Sequence, residues 1–165
     1  MSYWDYNYGN YYAPTKPKEV KDGIKLQSKN IASTWWSKKW ISLLESFGWD
    51  NRLERGRKYA RRGQVMNFKI EKGIISAKVQ GSASKPYSVK IEIKEFENNE
   101  WKKIIGEMGK QAIFTAKLLN REMPEDIEKA FDAAGVSLFP KRTDIEMNCS
   151  CPDSAIPCKH IAAVH

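Results

Sequence analysis

The chain has 165 residues, of which 41% are hydrophobic and 12% aromatic, so its composition predicts a folded domain rather than a disordered chain. Its 28 Lys and Arg outnumber its 20 Asp and Glu, and the formal net charge of +8 at pH 7 favours polyanionic partners. No apolar run approaches the about 18 residues of a membrane span, and the first residues do not resemble a signal peptide. Three cysteines form a poor disulfide framework for a secreted protein, and we expect a cytoplasmic one.

The first 30 residues differ in composition from the rest of the chain. Five of the seven tyrosines lie between Tyr3 and Tyr12, and prolines and lysines follow without an apolar period. We therefore expect residues 1–30 to form a flexible arm. Its aromatic and basic side chains either stack on bases and wrap a partner, or only keep the protein in solution.

An ordered domain is predicted for residues 31–140, beginning with a tryptophan-rich helix. Ser33 or Thr34 is expected to cap this helix, in which apolar residues recur at helical spacing until Gly48. Trp36 and Trp40 share one face of it, whereas Trp35 points about 100° away. Because a single core does not easily accept both directions, Trp35 is predicted to lie in a partially exposed apolar patch that binds a protein partner.

The second predicted helix, from Arg52 to Arg62, is strongly basic and is followed by Gly63. Its few apolar residues predict a surface helix with a narrow buried edge. We expect its six basic residues to contact phosphates without reading bases, with a log–log salt slope of roughly −4 to −5. The alternative is a solvated helix face balanced by nearby acids. The six residues are Arg52, Arg55, Arg57, Lys58, Arg61 and Arg62.

Three runs of alternating apolar and polar residues follow, and they predict an antiparallel β-meander with one buried face. The first run places Met66, Phe68 and Ile70 on that face. Helical periodicity from about Glu100 to Leu119 predicts a helix that lies across the apolar face of the sheet. The predicted fold class is therefore α+β, an antiparallel meander packed with helices and followed by a small C-terminal zinc-binding module.

The C-terminal module, residues 141–165, contains all three cysteines and both histidines of the chain. Three thiolates and one imidazole complete a tetrahedral structural zinc site and leave no open position for a substrate water. We expect one structural Zn²⁺ ion bound by Cys149, Cys151, Cys158 and His160. His165 is the weaker candidate, because in a helix it lies about a turn and a half beyond His160.

Other cysteine chemistry is less favoured by this spacing. A Cys149–Cys151 disulfide would be strained and would leave Cys158 unused. The Cys-x-x-Cys pattern of redox sites is absent, and two residues of separation rarely place a base such as His160 correctly for a nucleophilic Cys158. The chain also contains no phosphate-binding glycine-rich loop and no Ser/His/Asp arrangement, so we do not expect an enzyme.

The pattern Cys-x-Cys, six residues, Cys-x-His, followed by Ile-Ala-Ala-Val, resembles the SWIM zinc finger. The wider sequence resembles bacterial and archaeal SWIM zinc-finger proteins over about residues 33–165. The resemblance implies that Cys149, Cys151, Cys158 and His160 bind zinc, and that the final helix continues well past the equivalent of Val164. The motifs that carry it, besides the metal ligands, are residues 55–63, 79–82 with 86–87, 138–140 and 149–153.

The resemblance also implies a function in binding DNA or proteins, with a Swi/Snf-type ATPase or a recombinase as the protein partner. Together with the charge, it predicts a non-catalytic zinc-finger protein that binds nucleic acid, DNA more than RNA, as an accessory factor of a helicase/ATPase or of recombination machinery. Two alternatives stay open: a protein-interaction adaptor, and an RNA- or ribosome-associated factor. Neither a membrane nor a small-molecule substrate is expected.

Overall fold

The computed structural model describes residues 16–27 and 32–165. Most of the predicted flexible arm, including its tyrosines, lies outside the described residues. Residues 16–27, by contrast, run along the domain and are attached to it through the main chain. Three N–H groups of this segment donate to carbonyls of the domain: Lys18 to Gly81 at 3.0 Å, Ile24 to Val65 at 2.7 Å and Leu26 to Ala60 at 3.2 Å.

Two helices precede the sheet: α1 (Trp35–Ser46) and α2 (Asp50–Arg61). Thr34 caps α1 as predicted, because its side chain accepts a hydrogen bond from the N–H of Ser37. Gly48 follows α1 with a φ of 78°, a conformation that favours glycine over other residues. The basic helix α2 presents a narrow buried edge to the core, which is the arrangement that its composition predicts.

The sheet has four antiparallel strands in the order β1 (Val65–Glu71), β2 (Ile74–Val79), β3 (Tyr87–Ile93) and β4 (Ile145–Cys149). The predicted α+β class and the antiparallel meander are confirmed. The first three strands are the three alternating runs of the sequence. The fourth strand comes from the cysteine-rich end of the chain, so residues 145–149 are needed to complete the sheet.

Strand β1 departs from the predicted one-sided burial. Its register against β2 shifts between Met66 and Lys69, and Asn67 has a φ of 51°. Such an irregularity changes the face on which the following side chains lie. Phe68 and Ile70 were expected to be buried, but they are 37% and 71% exposed.

Four α-helices follow β3, whereas the sequence predicts three: one over about residues 100–119, one over 124–135 and one that begins at 161–164. They are α3 (Asn98–Gly109), α4 (Ala112–Leu119), α5 (Ile127–Ala133) and α6 (Lys159–Val164). The expectation that residues 100–119 cover the sheet is wrong. α3 instead packs with α5 in a second core around Ile104, Ile127 and Phe131. Helices α2 and α6 pack in the main core with the strands, where they contribute Leu53, Ile161 and Val164.

The predicted boundary at residue 141 is not an edge of the fold. Strand β4 pairs with β3 along its whole length, from Ile93 with Ile145 to Val89 with Cys149. Helix α6 is mostly buried in the same core. The C-terminal segment is therefore part of the main domain rather than a module attached to it.

The three tryptophans of α1 lie in different surroundings. The indole N–H of Trp35 donates to the carbonyl of Met123 at 2.8 Å, and its ring meets Phe139 edge-on at 6.5 Å. Trp35 is therefore half-buried against the second core, and Trp36 is the most exposed of the three indoles of α1, at 44% exposure. Trp40 packs against the main core as expected. Trp35 and Trp40 pack against different cores because α1 lies between two, and the function of Trp35 in binding a partner stays a prediction.

Candidate metal centre

Two elements and the turn between them bring the four predicted ligands together. Cys149 is the last residue of β4, Cys151 lies in the turn that follows, Cys158 immediately precedes α6, and His160 is in the first turn of α6. The turn is fixed to β3, because the Ser150 N–H donates to the Ser88 carbonyl and its hydroxyl accepts from the Ser88 N–H. The sheet thus positions two of the ligands and the start of a helix positions the others.

The donor atoms of Cys149, Cys151, Cys158 and His160 all lie within 4.8 Å of one another. The Nδ1 atom of His160 is 3.9 Å from the Cys149 sulfur and 3.8 Å from the Cys158 sulfur. Zinc bonds of about 2.3 Å to sulfur and about 2.0 Å to nitrogen give tetrahedral donor–donor distances of about 3.5 to 3.8 Å. The cluster therefore fits one tetrahedral zinc ion after only small movements of the side chains.

The ring of His160 is held so that Nδ1 faces the sulfurs. It lies against Tyr87, with ring centroids 4.6 Å apart, and meets Tyr59 edge-on at 5.4 Å. Its other nitrogen, Nε2, is buried and has no hydrogen-bond partner among the described residues. A Cβ at Gly81 would lie 3.1 Å from that nitrogen, so the absence of a side chain at Gly81 leaves room for the ring. These contacts assign Nδ1 as the nitrogen that faces the metal.

The protonation of the three thiols is strongly unequal in the metal-free cluster. The hydrogen bond between Cys149 and Cys158 lowers the pKa of Cys158 far below its usual range and raises the pKa of Cys149. Burial raises the pKa of Cys151. Since zinc binds thiolates, it must displace the protons that Cys149 and Cys151 retain, and metal binding releases protons.

His165, the weaker sequence candidate, is not part of the cluster. Its ring lies between Trp40 and Trp49, with centroids at 6.0 Å and 6.2 Å, and its Nε2 atom is 3.3 Å from the sulfur of Met147. Burial lowers the pKa of His165 to about 4. It is a neutral, half-buried residue that packs against two tryptophans of the main domain.

Residues 145–164 match the SWIM zinc finger family. The chain carries a SWIM zinc finger. The ligands of this finger are Cys149, Cys151, Cys158 and His160, and they fit one structural zinc ion. With four protein ligands, no position stays open for a substrate, which is the arrangement of structural zinc sites.

Beyond the finger, the chain is similar to a Mycobacterium tuberculosis (strain H37Rv) protein described as uncharacterized protein Rv2102. The two are 46% identical over 156 residues, which include 93% of this chain. The match covers 56% of the relative, so the chain spans about half the length of the curated relative it matches. No solved structure matches the chain significantly.

Sequence reasoning missed the residues that support the SWIM finger from outside. Tyr59, Gly81 and Tyr87 surround the ring of His160, although they are distant from it in sequence. Tyr59 belongs to one of the motifs that carried the family resemblance, and Gly81 and Tyr87 belong to another; the resemblance gave these residues no function. Their contacts with the zinc ligand now give both motifs a structural reason.

The basic helix α2 lies directly against the finger. A Cβ at Gly56 would be 2.3 Å from the main-chain carbon of Ala162, so the backbones of α2 and α6 touch there. On the other side, four of the six predicted phosphate-binding residues are exposed, whereas Arg52 and Arg57 are half-buried. The exposed ones are Arg55, Lys58, Arg61 and Arg62.

The two half-buried arginines are engaged within the protein. Arg52 pairs with Asp153 of the finger at 3.2 Å, and Arg57 pairs with Glu45 of α1. These ion pairs connect α2 to its neighbours. The six predicted phosphate contacts are therefore not equivalent, and the structure favours the four exposed residues.

In the part of the chain that the structure describes, no helix is long and apolar enough to cross a membrane.

Proposed function

We propose that this protein is a non-catalytic nucleic-acid-binding factor, which binds DNA in preference to RNA and works in the cytoplasm beside a Swi/Snf-type ATPase or recombination machinery. The observation that supports the proposal best is a row of exposed cations on α2, which we call the basic row: Arg55, Lys58 and Arg62. The SWIM finger packs against the other side of this helix. The chemistry of the row determines what it binds.

The spacing of the basic row suits a phosphate backbone. Its members are three and four positions apart, so they share one face of the helix. At 1.5 Å per residue, Arg55 and Arg62 lie about 10 Å apart along the axis, close to the rise of three nucleotides at about 3.4 Å each. The row consists of Arg and Lys alone, and these side chains bind phosphate oxygens. We therefore expect contacts with the backbone and little sequence specificity.

The charges of the row are available to a ligand. Among the described residues, neither Arg55 nor Arg62 forms an ion pair, and Lys58 pairs only with the exposed Glu54 of its own helix. Such exposed pairs contribute about 0–1 kcal/mol, so a phosphate group can displace Glu54. If all four exposed cations of α2 neutralise phosphates, the log–log salt slope is about −3.6, shallower than six contacts would give.

Rigid support lowers the cost of binding. Gly56 brings α2 into backbone contact with α6, and Tyr59 of α2 packs on the zinc ligand His160. A helix held in this way loses little conformational freedom when it binds. In this proposal zinc acts indirectly, because it fixes the surface on which α2 rests.

The test compares the double variant Arg55→Gln/Arg62→Gln with the parent on a fluorescent duplex of about 20 base pairs, between about 50 and 200 mM salt. We expect weaker binding to unrelated sequences by similar factors and a slope flatter by about two units, because each lost phosphate contact removes about 0.9. The matched control is Lys102→Gln/Lys103→Gln, which removes the same charge from exposed positions of α3. Equal affinities and slopes in the two variants would contradict the proposal.

One observation favours the adaptor alternative as the second candidate. The indole of Trp36 is 44% exposed and lies beside a cavity of about 660 Å³, between α1 and residues 117–126, that includes Met123. Tryptophan in an exposed apolar patch is a frequent anchor of protein interfaces. Co-purification with the ATPase after nuclease treatment separates the two candidates. Association that disappears with the nucleic acid excludes the adaptor, and competition between duplex DNA and RNA tests the RNA-associated alternative.

A further inference from the structure

A second concentration of positive charge lies beside α2, where residues 16–25 cross the end of the helix. A cavity of about 580 Å³ opens there, and we call it the basic pocket. Its charged residues are four cations and one carboxylate. The cations are Lys16, Lys25, Arg61 and Arg62, and the carboxylate is Glu19.

The wall of the pocket that residues 16–25 form is fixed to the domain. Gln64 is 4% exposed, and its two carbonyl neighbours assign its amide orientation: the NH₂ group faces the carbonyls of Lys18 at 3.0 Å and Gln80 at 2.8 Å. Because the NH₂ group of this buried amide donates to a carbonyl on each side, it holds residues 16–25 against the end of β2. The backbone hydrogen bonds from Lys18 and Ile24 also hold residues 16–25 on the domain.

Two glycines allow the segment to approach α2 this closely. A Cβ at Gly23 would lie 1.7 Å from the carbonyl oxygen of Gly63, so the two main chains are in direct contact. Gly63 has a φ of 70°, and the side chain of Lys25 passes over it, with Cγ 2.7 Å from where a Cβ would be. Lys25 is thereby directed along the pocket instead of extending freely into solvent.

The charge of the pocket is not explained by the needs of the fold. Basic residues in the last turn of a helix complement its dipole, which accounts for Arg61 and Arg62. It does not account for Lys16 and Lys25, which come from a different segment and form no ion pair within residues 16–27 and 32–165. Among the described residues, Lys16, Lys25 and Arg62 are exposed and form no ion pair, so their charges are available to an anion in the pocket.

We propose that the basic pocket binds a phosphate group of the nucleic-acid backbone that also contacts the basic row. Arg62 belongs to both sites, so a strand that follows the row along α2 reaches the pocket at its end. Arginine binds phosphate oxygens through two parallel N–H groups, and lysine adds a point charge. The inference rests on the proposed function, and it extends the binding surface from α2 to residues 16–25.

The test uses the full chain with Lys16→Gln/Lys25→Gln on the same fluorescent duplex and over the same salt range. We expect a several-fold loss of affinity at low salt and a slope flatter by about one unit, for one lost phosphate contact. The control is again Lys102→Gln/Lys103→Gln. Unchanged zinc content and melting temperature show that the variants are folded, since all four lysines are exposed.

Two further measurements separate the outcomes. In amide NMR spectra, the duplex should shift the signals of Lys25 and Gly63 in the parent, and inorganic pyrophosphate alone should compete with it only weakly. If pyrophosphate shifts these signals and the duplex does not, the pocket serves a free phosphate compound, and the inference is overturned. If Arg55→Gln/Arg62→Gln weakens binding while Lys16→Gln/Lys25→Gln does not, the inference fails and the proposed function stands. If the parent does not bind the duplex, both fail.

Discussion

Replacing Gly56 by alanine tests whether the basic helix and the SWIM finger form one rigid unit. Gly56 lies in the interior of α2, where helix propensity alone favours alanine by about 1 kcal/mol. A Cβ at this position, however, would lie 2.3 Å from the carbon, 2.4 Å from the oxygen and 2.7 Å from the Cβ of Ala162. Two of these atoms are main chain, so α2 and α6 must separate by about 1 Å to restore van der Waals contact.

The gain in helix propensity and the cost of overpacking oppose each other, and their magnitudes predict that the free energy of unfolding decreases. Overpacking of a core costs about 1–3 kcal/mol, and an obstacle made of backbone belongs at the upper end of that range. Subtracting the helix propensity leaves a net loss of about 2 kcal/mol in the free energy of unfolding. For a chain of this size, such a loss lowers the melting temperature by about 4–8 °C. Zinc release should also be faster, because Ala162 lies two residues beyond His160.

The assay is thermal and urea unfolding of the zinc-loaded protein, followed by circular dichroism, with a colorimetric measurement of zinc release. The matched control is Gly106→Ala in α3, where a Cβ would have no atom within 4 Å. That variant should be more stable than the parent by about 0.4–1 kcal/mol. A Gly56→Ala protein as stable as the Gly106→Ala protein would refute the close contact between α2 and α6.

Two further predictions concern the zinc ion and His165. Cys158→Ser should lose the zinc ion, as measured by elemental analysis. It should also lose the near-ultraviolet dichroism of the main core, because β4 and α6 are part of that core. A zinc-free variant with an intact core would contradict this. His165 is kept neutral by a pKa of about 4, so below about pH 6.5 the unfolded chain binds a proton that the folded chain does not. The free energy of unfolding should therefore decrease by about 3 kcal/mol, as an order of magnitude, between pH 6.5 and pH 4. Urea titrations at fixed zinc content should show a smaller decrease in His165→Phe, and equal pH dependence would exclude His165 as the cause.

The sequence by itself determined the features that depend on neighbouring residues. The spacing of Cys149, Cys151, Cys158 and His160 determined the zinc site, because ligands a few residues apart need only a turn and the start of a helix to converge. The cap at Thr34 and the alternation of three strands are also local, since they depend on hydrogen bonds and on periods of a few residues. These features were predicted correctly and the structure shows them.

Only the tertiary structure determined what those elements pack against. The position of β4 beside β3 depends on a pairing between residues more than 50 positions apart, and no local period indicates it. No local period indicates the second core either, which partly covers Trp35 and leaves Trp36 exposed. The same is true of the Tyr59 and Tyr87 rings around His160. Periodicity indicates that one face of an element is apolar. Which element packs against that face depends on the packing of all the apolar faces of the chain together. For the same reason, the attachment of Lys18 to Gly81 was invisible in a segment whose composition resembles a linker.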